Sequence, residues 1–124
     1  MAGRVPQRQR EAQLPVEDGL WLALSALADP TRLRIVTLLS EREQCVCYLT
    51  EELGLSQGTI SHHMGVLKRA GLVRDRRDPD DGRWVYYALD EAGACRLKVH
   101  LGDLLDTSRT DSTPASCRLP GSKC

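Results

Sequence analysis

The stretch LTEELGLSQGTISHHMGVLKRAG, residues 49–71, constrains the fold more than any other part of this chain. Leu49 and Leu53 stand one helical turn apart, and Gly54 is suited to end that helix in a left-handed turn. Ser56 is a good N-cap for a second helix. Its apolar stripe, Ile60, Met64 and Leu67, repeats at helical spacing until Gly71 closes it. Two helices joined by so tight a glycine-containing turn make a helix-turn-helix.

The flanks extend the pattern. Val16, Leu20, Leu24 and Leu27 predict a helix before the unit. Asp29 as N-cap and Pro30 at the first helical position open another, with Leu33, Val36 and Leu39 on one face, and Ser40-Glu41 breaks the run. Behind Gly71 the period becomes extended. LVRDRR and RWVYYAL read as two strands, the second rich in aromatic and β-branched residues, and DPDDG between them is a turn. A hairpin directly behind a helix-turn-helix is a wing. Asp90 then caps a last helix with Leu97, Leu101, Leu104 and Leu105 at heptad-like spacing. The expected fold is mainly α with a small β-hairpin, a winged helix-turn-helix. Residues 1–14 read as a flexible arm, 15–105 as the domain, and 106–124, rich in Ser, Thr and Pro, as a disordered tail that carries two cysteines.

Composition narrows what such a domain does. The chain of 124 residues has no phenylalanine, so the core must rest on Leu, Val, Ile and Ala, which favours packed helices. Its formal net charge is +0, so any surface for nucleic acid must be local. No apolar run approaches the roughly 18 residues of a membrane span, and the polar N-terminus lacks the hydrophobic segment of a signal peptide. The expected location is the cytoplasm, with no membrane partner. Thiols there stay reduced, and five cysteines cannot all pair within one chain, so close cysteines point first to metal or redox chemistry.

The second helix of the unit carries hydrogen-bonding side chains opposite its apolar stripe: Gln57, Thr59, Ser61, His62 and Lys68. Short polar groups near a helix N-terminus suit base edges in the major groove. Gln57 fits an adenine edge, the Thr59 methyl a thymine methyl, and the Ser56 hydroxyl a phosphate. Lys68 and Arg69, with Arg76, Arg77 and Arg83 of the hairpin, are expected to grip the backbone or the minor groove. Four aspartates among them, Asp75, Asp78, Asp80 and Asp81, oppose this unless they point away. His62 and His63 diverge by about 100° on a helix and make a poor shared metal site.

ALADPTRLRIVTLL, CVCYLTEELGLSQGTISHHMGVLKRAGLV and GRWVYYAL, in that order over about residues 24–89, resemble the ArsR/SmtB family of winged-helix metal-sensing repressors, most of all its arsenic-responsive members. The resemblance implies a homodimer joined through its first and last helices, residues 15–28 and 90–105. It implies a repressor that binds operator DNA, a short imperfect palindrome, with no cofactor required. It also implies release when an inducer binds.

Cys45-Val46-Cys47 is then the inducer site. Thiolates favour soft ions over hard ones. Trivalent arsenic or antimony, which suits three sulfurs, is what the resemblance implies. Cysteines two apart lie about 200° apart around an α-helix but share a side in extended chain. Chelation is therefore expected to require a non-helical Cys45-Val46-Cys47 and, if the helix begins there, to unwind its first turn. A disulfide within the pair is expected to be strained, so an oxidised partner would lie elsewhere. Many arsenic repressors of this family read CVCxxC; here Thr50 takes the third place, and a hydroxyl is a poor arsenic ligand. Cys117 is the expected third ligand, with Cys124 as the alternative; Cys95 fits simple packing, and His100 with Asp103 is a weak second pair. Other readings keep the fold and change the signal to cadmium, lead, zinc or thiol oxidation. A thiol enzyme has little support: the chain has no CxxC, no phosphate loop at CVC and no Ser/His/Asp constellation.

Overall fold

A computed structural model describes residues 15–109. Five helices follow in order: α1 (Pro15–Leu27), α2 (Pro30–Glu41), α3 (Val46–Leu53), α4 (Gln57–Arg69) and α5 (Glu91–Leu104). Three strands, β1 (Gln44–Cys45), β2 (Val73–Arg77) and β3 (Val85–Leu89), form an antiparallel sheet in the order β1-β3-β2, and a 3-10 turn covers Thr107–Arg109. The helix-turn-helix is α3 and α4, and the wing is β2 and β3. The arm at 1–14 and the tail from 110 onward lie outside the described residues.

The helix boundaries follow from their caps. Asp29 accepts from the Arg32 amide at 3.0 Å ahead of Pro30, Ser56 from the Thr59 amide at 3.1 Å, and Asp90 from the Gly93 amide at 3.1 Å. Each satisfies a donor that the first helical turn leaves without a partner. Gly54 ends α3 at φ 67°, a conformation that costs a residue with a Cβ about 1–2 kcal/mol.

Ile35, Leu49, Ile60, Met64 and Leu67 are fully buried and join α2, α3 and α4 into one core. Ala23 and Ala26 of α1 and Leu72, Val73 and Tyr87 of the wing root complete it. The stripe expected on α4 is thus the buried one. On α2 the inner face differs: Ile35 and Leu39 point in, Val36 is half-buried, and Leu33 is 51% exposed. Spacing alone does not say which of two overlapping stripes the neighbours cover. Helix α5 docks through Gly93, where an added Cβ would overlap the Gly71 carbonyl. The Asp90 amide also donates to the Leu72 carbonyl at 2.9 Å. Along α5, Leu97 and Leu101 are half-buried, while Leu104 and Leu105 are exposed.

One element was not expected. The sequence reads as a two-stranded hairpin, but Gln44 and Cys45 add a third strand, with Gln44 opposite Tyr87 and Cys45 opposite Tyr86. Two residues show no periodicity. Only the wing edge that they meet makes them a strand.

Candidate functional site

The two cysteines stand where β1 turns into α3. Cys45 is the N-cap residue, in extended conformation (φ −79°, ψ 156°), and its sulfur accepts from the Tyr48 amide at 3.3 Å. Cys47 already lies in the first turn of the helix. Their Cα atoms are 5.3 Å apart, and the two sulfurs are bonded to each other. This corrects two expectations. The sulfurs converge with the first turn of α3 intact, because only Cys45 needs to be extended and the cap position supplies that. The pairing is also within the CVC motif rather than to a distant cysteine. The chain takes neither of the two geometries weighed, all helical or all extended: Cys45 is extended and Cys47 is helical.

Thr50 donates its hydroxyl to the Cys47 carbonyl at 2.8 Å, so it serves the helix and offers no sulfur. Among the described residues no group of three or more His, Cys, Asp or Glu side chains could hold a metal ion. Any third sulfur for Cys45 and Cys47 must therefore come from outside that constellation. Cys117 and Cys124 lie outside the described residues. Cys95 is a free, exposed thiol on α5, not a packed one.

The candidate reading face is built around the start of α4, eleven residues after Cys45.

 Ser56, Gln57, Thr59, Ser61 and His62 are all exposed there. The Ser56 and Thr59 hydroxyls lie 2.9 Å apart, so the cap and its neighbour hold each other in place. His63 turns inward, and its Nδ1 accepts from Arg32 Nη1 at 3.2 Å. Burial is the main cause that holds the His63 pKa below its ordinary value. The Arg32 Nε also donates to the Ala26 carbonyl at 2.6 Å, which ties the α1–α2 corner to α4.

The expected backbone-gripping cations are placed less simply. Arg69 is exposed at the far end of α4. Lys68 pairs with Asp75 at 2.9 Å and Arg83 with Asp81 at 2.9 Å, while Arg77 donates to the Gly82 carbonyl at 2.7 Å. Arg76 makes a two-pronged pair with Glu43 at 2.7 and 2.9 Å and lies 4.6 Å over the Tyr86 ring. This pair holds the Glu43 carboxyl below its usual range, chiefly through the Arg76 hydrogen bonds. The aspartates, expected to repel phosphate, largely fold the wing: Asp78 accepts from the Asp80 and Asp81 amides, and Asp81 from the Arg83 amide. Sequence reasoning missed Glu43, whose partner is 33 positions away. Nothing local marks such a pair.

These pairs connect the two sites. Arg76 is opposite Tyr86, and Tyr86 is opposite Cys45. One row across the sheet therefore runs from the wing to the cysteine cap, and Glu43, just before β1, pairs with Arg76 at its wing end. A cleft of about 450 Å³ lies beside it, lined by Val46, Cys47, Thr50, Gln57, Arg83 and Trp84.

Residues 29–75 match the family model described as bacterial regulatory protein, arsR family. An arsenic resistance transcriptional regulator of Pseudomonas putida is 38% identical over 99 residues, covering 79% of this chain and 75% of that protein. The arsenical resistance operon repressor of Escherichia coli is 52% identical over 64 residues, 51% of this chain and 52% of that one. Among solved structures, a possible transcriptional regulator for arsenical resistance superimposes with a TM-score of 0.59 at 38% identity, covering 74% of this chain and 97% of the other. HlyU from Vibrio cholerae superimposes with a TM-score of 0.59 at 30% identity, covering 75% and 98%.

Proposed function

The chain belongs to the ArsR family of bacterial transcriptional regulators, and from that premise we propose that it is a cytoplasmic, homodimeric repressor that leaves its operator when trivalent arsenic or antimony binds Cys45 and Cys47. The observation that carries this reading is the convergence of the two sulfurs at the start of α3, one helix before the reading face. The arsenic-resistance relatives support the choice of ion. Cys117 supplies the third sulfur, with Cys124 as its substitute.

Ser56, Gln57, Thr59, Ser61 and His62 meet the DNA from α4, and Lys68, Arg69, Arg76, Arg77 and Arg83 hold its backbone. The chain's residues couple the two sites through the sheet. Loading the cysteines moves Cys45 against Tyr86, and the Glu43–Arg76 pair passes that movement to the wing. Cations already paired with Asp75, Glu43 and Asp81 must exchange those partners for phosphates, so small movements shift which partner wins. A coupling of about 1–3 kcal/mol weakens DNA binding roughly 5- to 150-fold.

The test uses reduced protein and a palindromic duplex selected by the protein itself, followed by fluorescence anisotropy. Arsenite releases the wild-type protein. Cys45→Ser holds the duplex equally well and no longer responds; a full response in that variant overturns the site. A second reading keeps the DNA binding and makes thiol oxidation at Cys45 and Cys47 the signal. In that case diamide releases the duplex and arsenite does not. Cadmium belongs in the same titration, since a cadmium resistance regulatory protein homologue of Staphylococcus aureus is 42% identical over 67 residues.

A further inference from the structure

One guanidinium ties three helices of the domain together. Arg32 stands in the first turn of α2. Its Nε donates to the Ala26 carbonyl at 2.6 Å, and its Nη1 donates to His63 Nδ1 at 3.2 Å. The Ala26 carbonyl has no partner within its helix, because α1 ends at Leu27 and Pro30, four residues on, carries no N–H. His63 lies half-buried on the reading helix α4, and its ring sits 5.4 Å from that of His62, centroid to centroid, tilted by 60°. That spacing is within the range of paired aromatic rings. A guanidinium only donates, so Nδ1 must accept, and the proton of a neutral His63 rests on Nε2. Neither Arg32 nor His63 is among the residues assigned to DNA.

We propose that Arg32 is a positioning residue for operator recognition: acting through His63, it fixes the angle of α4 against the α1–α2 corner and the seat of the His62 side chain. The inference rests on α4 reading DNA and not on the cysteine assignment. In the proposed dimer, joined through α1 and α5, each α4 must meet a half-site one DNA turn from the other. A brace from the end of α1 to α4 sets that geometry. The planar fork of arginine reaches both acceptors at once, whereas a lysine ammonium keeps the charge and not the fork. Protonation of His63 turns Nδ1 into a donor facing a donor and opens the brace. The charged and titratable groups that face His63 are Asp29 and Arg32 from the start of α2 and His62 from α4.

The test compares the affinity of the reduced full-length chain for its selected palindromic duplex and for a scrambled one. Arg32→Met and Arg32→Lys each lower the ratio of the two affinities roughly 2- to 30-fold, while affinity for the scrambled duplex and its salt dependence stay as in wild type. His63→Leu gives the same loss, and adding Arg32→Met to it costs little more, since both remove one link. His63→Asn, whose Oδ1 replaces Nδ1 as acceptor, keeps the ratio. Acidifying from about pH 7 to about pH 5, below the ordinary histidine value of 6.5, lowers the ratio in wild type and changes it less in His63→Asn, where His62 still titrates. A salt slope reduced by about 1 in Arg32→Met, with full recovery in Arg32→Lys, makes Arg32 a phosphate contact and overturns the proposal. So does additive loss in the double variant, or an unchanged ratio in both single ones. An equal fall on both duplexes marks a damaged fold and overturns it too. A wild-type protein that does not prefer its selected duplex removes the DNA-reading assignment, and the proposal with it.

Discussion

The two helices of the reading unit begin in the same way and for different ends. Each is capped by a side chain that accepts from an amide three residues on: Cys45 at 3.3 Å for α3 and Ser56 at 3.1 Å for α4. A hydroxyl is the ordinary choice there, and a sulfur is a weaker acceptor. The α4 start is exposed and made of short polar groups; the α3 start is fastened to the sheet through Gln44 and Cys45. One local architecture thus carries two chemistries. At Ser56 the cap leaves a face free to meet a ligand from outside. At Cys45 the cap is a weaker acceptor, and the proposed function gives its sulfur a second role in binding a soft ion.

The comparison can be broken most severely through what both starts share. Leu49 and Ile60 are fully buried in one core. Leu49→Ala should cost about 2–5 kcal/mol in urea denaturation and damage both functions together. A variant that lost only one of them would show that the two helices do not rest on common support. Gly54→Ala comes next. It forces a Cβ into a left-handed turn and should cost about 1–2 kcal/mol, with DNA affinity falling because the α3–α4 angle is disturbed.

The caps themselves separate the two starts. Ser56→Ala should cost about 0.5–2 kcal/mol and weaken DNA binding, with arsenite affinity retained. Cys45→Ser should change stability by less than about 0.5 kcal/mol, since serine caps well, yet abolish the arsenite response. If Cys45→Ser destabilised as much as Ser56→Ala, the sulfur would be chiefly structural.

The smallest effect concerns the Glu43–Arg76 pair beside the cysteine cap. The Glu43 carboxyl is held below its ordinary value of 4.5 by Arg76, so the pair stabilises the fold above that pH, and the contribution is lost as pH falls through the depressed value. Wild type and Glu43→Gln should therefore differ by a constant amount from pH 7 down to the ordinary carboxylate range and converge in more acid solution. A difference that instead grew in acid would contradict the pair.

Much of this comparison is legible in the sequence. Caps at Asp29, Ser56 and Asp90, the left-handed Gly54 and the α4 stripe depend on near neighbours, and each is where its residue types predict. What was not legible depends on distant contacts. Leu33 belongs to a plausible stripe, but α2 turns Ile35 to the core instead. Gln44 and Cys45 become a strand only beside β3. The convergence of Cys45 and Cys47 depends on which of them begins the helix, a boundary that one residue decides. Lys68 and Arg76 gave no sign of their partners, Asp75 and Glu43, because the fold brings each pair together.

Arsenic X-ray absorption on the reduced, arsenite-loaded protein tests the division of labour most directly. Three sulfurs should surround arsenic in the wild type and in Ser56→Ala, and the shell should lose sulfur in Cys45→Ser and again in Cys47→Ser. A sulfur shell unchanged by both cysteine substitutions would contradict the assignment of sensing to the start of α3.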